Sequence, residues 1–510
     1  MISRRSLLTF LSGGLCYPFL GHSAGAAAKP HAPLRLGINL SGMSYWAQEQ
    51  PFTNLAHNAA RWRVQIKDAP FTWDEPLPPL TPDGYPLSVP DGAWLDSFLI
   101  FTARREHLPR ELFLHYDGRG KLTYVGGGEL VERLPGRDRL RNLARDDALT
   151  LRMIETDGAD PIRNIRLAEQ DPPISAEFRS AFLDRLEGMH VLRFMDWMGT
   201  NNSAVRQWQD RPQRGQFGRS ELGVPLETMI SLCNTTGLSP WFTMPHLADD
   251  DYMRTFAQQV QRDLDPGLAV HVEYSNEVWN TMFGQADHAG RRGLGLGLSA
   301  DGYQAQLRYY SLRTSQILAI WEDVFAAQAP RVVGVYAAQA ANPWTSETIL
   351  GFGEARRFAD VLAIAPYFGG GLGSPERAPE VRNWGLERLF TTLELEIETD
   401  NRQQIAAQAA IARDYGLPLY AYEGGQHLVG HGGAENDDRL TQLFVAANRD
   451  SRMGHLYKRH LRVWQQEGGD LYALFASMGE PSKWGSWGLL EYEGDRRPKW
   501  EAVQDMLAGR

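Results

Sequence analysis

The chain has 510 residues, 43% of them apolar, and a formal net charge of −10. That is enough apolar chain for a large buried core and a poor charge balance for a nucleic-acid partner. Two cysteines in this length exclude a disulfide framework, so stability must come from burial.

In chain order, Ser3-Arg4-Arg5-Ser6-Leu7-Leu8 leads into an apolar stretch through Leu20, followed by the small residues Ser23 to Ala28. Residues 1–28 read as an export signal of the twin-arginine kind, which predicts a periplasmic or secreted protein that crosses the membrane already folded. The stretch is short and interrupted by glycines and Pro18, which argues against a membrane span, and bulky Leu15 argues against lipidation of Cys16. Removing the segment takes Arg4 and Arg5 and no acid. The 52 basic residues become 50 against 62 acidic ones, the net charge moves from −10 to −12, and Cys233 is the cysteine left.

Leu34 to Gly42 is predicted as a first strand. Residues 53–166 are rich in proline and glycine, with short runs such as Glu111 to Tyr116 and Leu149 to Ile154 and the turn Asp117-Gly118-Arg119-Gly120-Lys121. Helical periodicity is nearly absent there, so this region reads as a small β-sandwich inserted after the first strand, emerging on the side where that strand ends. From 167 onward helices and strands alternate. Ser175 is expected to cap a helix running to Leu186 with Glu177 in its first turn. Further strands are expected at Val191 to Trp197, Gly237 to His246, Leu268 to Glu277, Arg331 to Ala338, Asp360 to Tyr367, Leu417 to Glu423 and Asp470 to Ser477. Helices are expected between most of them, including Gln304 to Gln328 and Arg402 to Tyr415. With the first strand this makes eight, the count of a closed (β/α)8 barrel formed by residues 34–52 and 167–505.

Active sites of such barrels lie at the C-terminal ends of the strands. Those ends are Asn39, Asp196 and Trp197, His246, Asn276 and Glu277, Gln339, Tyr367, Glu423 and Ser477, a polar and aromatic set after apolar runs. Two runs stand out. Val270-His271-Val272-Glu273-Tyr274-Ser275-Asn276-Glu277 alternates and ends in an Asn-Glu pair; Leu417-Pro418-Leu419-Tyr420-Ala421-Tyr422-Glu423-Gly424-Gly425 ends in one Glu and then glycines. A lone glutamate is ordinarily a solvated residue among Lys, Arg and Gln on a helix face, whereas these two end strands beside aromatics. Two carboxyl groups at strand ends are the requirement of glycoside hydrolysis.

On these residues the chain resembles the clan of retaining (β/α)8 glycosidases that includes cellulases, mannanases and xylanases. In that clan an Asn-Glu pair ends the fourth barrel strand and a second Glu ends the seventh. The resemblance spans roughly 34–52 and 167–500 and omits the β-rich insertion. It implies Glu277 as acid/base, Glu423 as nucleophile, Asn276 on the sugar 2-hydroxyl, and Arg193 as the arginine near the end of strand two. The clan's strand-six tyrosine falls on Tyr367, but Ala365 stands where a histidine is usual, and the strand-eight tryptophan that floors the reacting sugar falls on Trp484 or Trp487. The chain also resembles secreted bacterial proteins labelled cellulose-binding, a label that implies β-glucan contact without demonstrating turnover.

The chemistry this implies is double displacement. Glu423 attacks the anomeric carbon while Glu277 protonates the leaving oxygen, and Glu277 then deprotonates the water that releases the sugar, with the carboxyl groups roughly 5–5.5 Å apart. Glu277 is expected to have its pKa raised by Glu423 and by burial beside Trp279; Glu423 is expected to stay ionised through hydrogen bonds from Tyr367 or Arg193.

Further substrate contacts are expected from Arg193, Asp196, Trp197, His246, Trp279, Trp344, Tyr367, Trp484 and Trp487, with Trp46 another ring near a strand end; for each tryptophan the competing reading is core packing. Trp241, Trp321 and Trp464 fall inside strand or helix patterns and read as core. His246 with Asp249-Asp250-Asp251 offers metal donors, but consecutive acids at a helix start read as cap and dipole partners. Gly293 to Gly297 follows a helix and not a strand, unlike a nucleotide loop. No metal and no cofactor is expected, and the partner is a polysaccharide. The alternative is a binding protein on the same scaffold, holding a polysaccharide without cleaving it.

Overall fold

The computed structural model describes residues 34–101, 110–143 and 147–510; the export signal read at 1–28 lies outside the described residues. Among the described residues, sixteen strands fall into three sheets. In chain order they are β1 (Arg35–Asn39), β2 (Arg63–Ile66), β3 (Ala93–Phe101), β4 (Glu111–Asp117), β5 (Gly120–Gly126), β6 (Gly128–Leu134), β7 (Arg137–Asn142), β8 (Ala148–Thr156), β9 (Arg163–Ala168), β10 (Val191–Arg193), β11 (Ser239–Met244), β12 (Val270–Tyr274), β13 (Val332–Ala337), β14 (Val361–Ile364), β15 (Leu419–Ala421) and β16 (Gly469–Leu474).

Strands β1 and β10 to β16 close in sequential order into one parallel barrel, a (β/α)8 architecture. Their residues are almost wholly buried, as both faces of a helix-wrapped parallel sheet must be. Each Leu, Ile or Phe withdrawn from water there contributes roughly 1.5–3 kcal/mol. Gly37 packs against β10: an added Cβ would lie 3.0 Å from the Val191 carbonyl oxygen. At the N-terminal end Arg35 forks onto Asp470 at 2.7 and 2.8 Å and reaches the Tyr420 hydroxyl.

The strands stop earlier than the apolar pattern predicts. β10 ends at Arg193, not Trp197, and β12 ends at Tyr274, so Asp196, Asn276 and Glu277 stand on the loops that leave the barrel. The helix expected from Ser175 is shorter, Ser180–Asp184. Phe178 instead makes an antiparallel bridge with Phe52, and the Glu177 carboxylate accepts from Thr228 and Ser231. The long helix expected at Gln304 to Gln328 runs Gly302–Phe325, and that expected at Arg402 to Tyr415 runs Arg402–Asp414.

Between β1 and β10 the chain builds two antiparallel four-stranded sheets, β2-β3-β8-β5 and β6-β7-β4-β9. Leu95, Leu99, Leu112, Leu114, Leu149 and Leu151 from the two sheets share one apolar cluster separate from the barrel's, which makes the unit a sandwich. It rests on the loops after β1 and β10. Trp62 stacks on Phe217 at 5.2 Å, and Arg61 and Arg63 both pair with Glu221. Those loops leave the C-terminal ends of their strands, so the sandwich lies on the mouth side of the barrel.

Candidate active site

Beyond Tyr274 the backbone makes a tight double turn: Ser275 and Glu277 both adopt left-handed conformations, with φ of 59° and 42°. Side chains other than glycine hold this region at a cost of roughly 1–3 kcal/mol each, and such strain concentrates at functional sites. The turn leaves Glu277 half-buried. Its Oε2 accepts from Asn280 Nδ2 at 2.8 Å and its Oε1 from the Tyr422 hydroxyl at 3.0 Å, while Tyr422 accepts from Trp279 Nε1 at 3.2 Å.

Glu423 follows Tyr422 and is 5% exposed. The chain turns away at Gly424, where an added Cβ would strike the Tyr472 hydroxyl at 2.2 Å. The nearest cation to Glu423 is Arg193, at 3.8 Å. That guanidinium is wholly buried and already occupied. It binds Glu273 through Nε and Nη2 at 3.0–3.1 Å, Asn39 Oδ1 at 3.0 Å and Asn276 Oδ1 at 2.8 Å. Trp241 Nε1 donates to Glu273 at 2.8 Å. Asn276 in turn donates to Asn201 at 3.1 Å, and Gln285 ties Asn201 to the Asn276 carbonyl.

Burial is the main influence on the charges. It raises the pKa of Glu277, against the hydrogen bonds from Asn280 and Tyr422. It also raises Glu423, to about 8, with Arg193 opposing and the charges of Glu277, Asp196 and Glu273 adding to the rise. This corrects the expectation that Glu423 stays ionised through Tyr367 or Arg193. Arg193 is committed to Glu273, and among the described residues Tyr367 donates no hydrogen bond to Glu423. Burial likewise lifts Asp196 to about 6. Two interacting carboxyl groups in so little water share protons as a pair.

The other expected contacts divide. Tyr367 stands edge-on to His427 at 5.2 Å and to Trp487 at 5.9 Å, and Trp487 also meets Phe475 at 5.8 Å. The histidine against Tyr367 thus comes from the loop after β15, not from position 365. Trp279 is tied to the pair through Tyr422. Trp344, 40% exposed, stacks on Tyr303, and Trp484, 63% exposed, lies under Lys483.

Trp197 and Arg193 are corrected as substrate contacts. Trp197 is wholly buried against Phe182, Phe194 and Phe52 with its Nε1 on the Ser41 carbonyl, so it packs the core. Arg193 is sealed beneath Asn276 and Glu273, where it positions other groups. His246 is buried edge-on to His288 at 5.5 Å, with its pKa lowered to about 4 by burial and then by His288 and Arg206. Asp249 caps the helix Asp250–Asp263 by accepting from Tyr252 N at 2.8 Å. The residues missed were Glu273, Asn201, Gln285, Tyr422 and Phe475. A carboxyl group inside the wholly buried strand β12 was the legible signal for Glu273; the rest are brought in by long-range contacts.

No family model matches the chain, and no curated protein does. Among solved structures it is similar to the GH51 arabinofuranosidase from Xanthomonas axonopodis pv. citri, at 14% identity over 61% of this chain and 62% of that one, with a TM-score of 0.41. The match spans less than two thirds of that enzyme. It is also similar to a GH5-4 broad specificity endoglucanase from Bacteroides salanitronis, at 13% identity over 66% and 86% of the two chains and a TM-score of 0.38. A third is a family 5 mannosidase from Rhizomucor miehei, at 11% identity over 64% and 85% and a TM-score of 0.36. The barrel assignment itself rests on the strand pairing.

Proposed function

We propose that this chain is a retaining glycoside hydrolase that cleaves a β-linked polysaccharide, a β-glucan or bacterial exopolysaccharide, by double displacement. The observation that carries the reading is the hydrogen bond from Tyr422, the residue beside Glu423, to Glu277, because it ties two carboxyl groups from the loops after β12 and β15 into one half-buried site. Glu423 forms the bond to the anomeric carbon as the bond to the leaving oxygen breaks and that oxygen takes the Glu277 proton. Water then attacks the same carbon, gives its proton to Glu277 and frees Glu423. For this step the proton must lie on Glu277 and the charge on Glu423. A glycosidic oxygen placed there favours this by accepting from the acid, while Arg193 favours the anion of Glu423.

We read residues 53–166 as an inserted domain serving a barrel formed by 34–52 and 167–505, and the Arg4-Arg5 segment as directing export to the periplasm or beyond. Incubation with a panel of β-glucans, mannans, xylans and bacterial exopolysaccharides, reading new reducing ends and the anomeric configuration of first products by NMR, tests the reading. Products that first appear inverted, or no product from any polymer, defeat it. The second reading, a polysaccharide-binding protein without turnover, is favoured by one observation: Asn280 and Tyr422 occupy both oxygens of Glu277 with donors, an arrangement that stabilises its ionised form.

A further inference from the structure

An aromatic belt lies outside the site described above. Tyr45 and Trp46, on the loop leaving β1, meet edge to face at 4.7 Å, and Tyr45 lies 5.0 Å from Phe98 of β3. Phe98 lies 5.7 Å from Trp73 and 6.2 Å from Phe71, which meet each other at 4.9 Å. Trp46 is 58% exposed, and Phe71 and Trp73 are each 51% exposed. Rings of this size ordinarily go to the core, and clustered outside it they mark binding surfaces.

The rings are held in place. The buried amide of Gln65 donates to the Thr72 carbonyl at 2.8 Å and accepts from the Thr72 N–H at 3.3 Å, so the residue between Phe71 and Trp73 is clamped through both its backbone groups. Arg63 lies over Trp73 at 5.5 Å while its guanidinium is held by Glu221. A fixed loop loses little freedom when a ligand settles on its rings. The belt is continuous with the barrel mouth: the loop bearing Tyr45 and Trp46 leaves Asn39, which holds Arg193, and passes Asp196 at Gly42, where an added Cβ would lie 3.6 Å from the Asp196 Cβ.

We infer that this belt is a second glycan-binding site, taking a stretch of the β-linked polysaccharide whose cleaved bond lies at Glu277 and Glu423; the inference rests on the glycosidase reading. Pyranose rings present flat C–H faces that stack on aromatic rings, and their hydroxyls suit the Arg63 and Glu221 charges at the belt's edge. The occupant is the same chain because the belt begins on the loop that borders the site.

The test is affinity electrophoresis of the full chain carrying Glu277→Gln in native gels cast with barley β-glucan, konjac glucomannan or xylan. In that background the pair Phe71→Ala/Trp73→Ala, and separately Trp46→Ala, should weaken retention by at least about fivefold, the loss of one anchoring ring. Melting temperatures and circular dichroism of these surface variants should match the parent. Without Glu277→Gln, the pair Phe71→Ala/Trp73→Ala should leave hydrolysis of a short aryl glycoside unchanged and slow hydrolysis of the retained polymer. Retention by none of the polymers, or retention that the substitutions do not alter, overturns the belt even if hydrolysis is present. Retention lost with the substitutions in a protein that hydrolyses nothing keeps the belt and removes the glycosidase reading. A wild-type dimer in sedimentation that Trp73→Ala dissolves would assign the belt to a second copy and overturn the glycan.

Discussion

The Tyr422 hydroxyl donates a 3.0 Å hydrogen bond to Oε1 of Glu277, joining the loop after β12 to the residue that precedes Glu423. A hydrogen bond to a charged group is worth roughly 1.5–3 kcal/mol, so Tyr422→Phe should lower kcat by about 10- to 100-fold while the fold persists. Losing a donor that favours the anion raises the Glu277 pKa further. The alkaline limb of the pH–rate profile should therefore move to higher pH in the variant, which a kcat/KM profile reads directly.

Azide assigns the two carboxyl groups. Glu277→Ala should be rescued on a substrate with an activated leaving group and yield a β-azido sugar, since the anion needs no base. Glu423→Ala should yield the α-azido product, because the anion enters from the vacated face. The opposite stereochemistry would exchange the roles, and no rescue in either variant would point to the binding protein.

Burial pushes the Glu423 carboxyl up to about 8, above the usual carboxylate value. A raised carboxyl pKa contributes stability that is present below the unfolded value and lost as pH rises through the folded one. Glu423→Gln should therefore raise Tm relative to wild type by on the order of a few °C at pH 8–9, with a smaller gain near pH 5. Equal gains at both pH values would show that burial of this group sets no pH dependence.

Removing the arginine from beneath the site should damage the fold before the chemistry. Arg193→Met leaves Glu273 buried without its partner, a loss of roughly 3–5 kcal/mol. The double variant Arg193→Met/Glu273→Leu should recover much of that in a denaturant melt yet stay inactive, because Asn276 has lost the donor on its Oδ1.

Two tryptophans should separate core from surface. Trp197→Ala should cost about 3–5 kcal/mol of stability, as a large core truncation does. Trp487→Ala, beside Tyr367 and His427, should leave Tm close to wild type and raise KM for polymer with less effect on kcat.

The barrel was legible because apolar runs of strand length recur between helical segments, and the carboxyl groups because each ends such a run. Those are local signals, and the closed parallel sheet from β1 to β16 follows them. Strand ends were overestimated because the apolar pattern continues into loops whose backbone leaves the sheet, as at Ser275 and Glu277, where no glycine announces a positive φ. Composition at a strand end could not tell Trp197, driven into the core by Phe52, Phe182 and Phe194, from Trp487, which stays half-buried beside Tyr367. Nor could it reveal that Arg193 is taken up by Glu273, or that Tyr422 reaches Glu277. Those partners are 80 and 145 residues apart. Only closure of the barrel brings them within hydrogen-bonding distance, and the burial that comes with it raises the pKa of both Glu277 and Glu423.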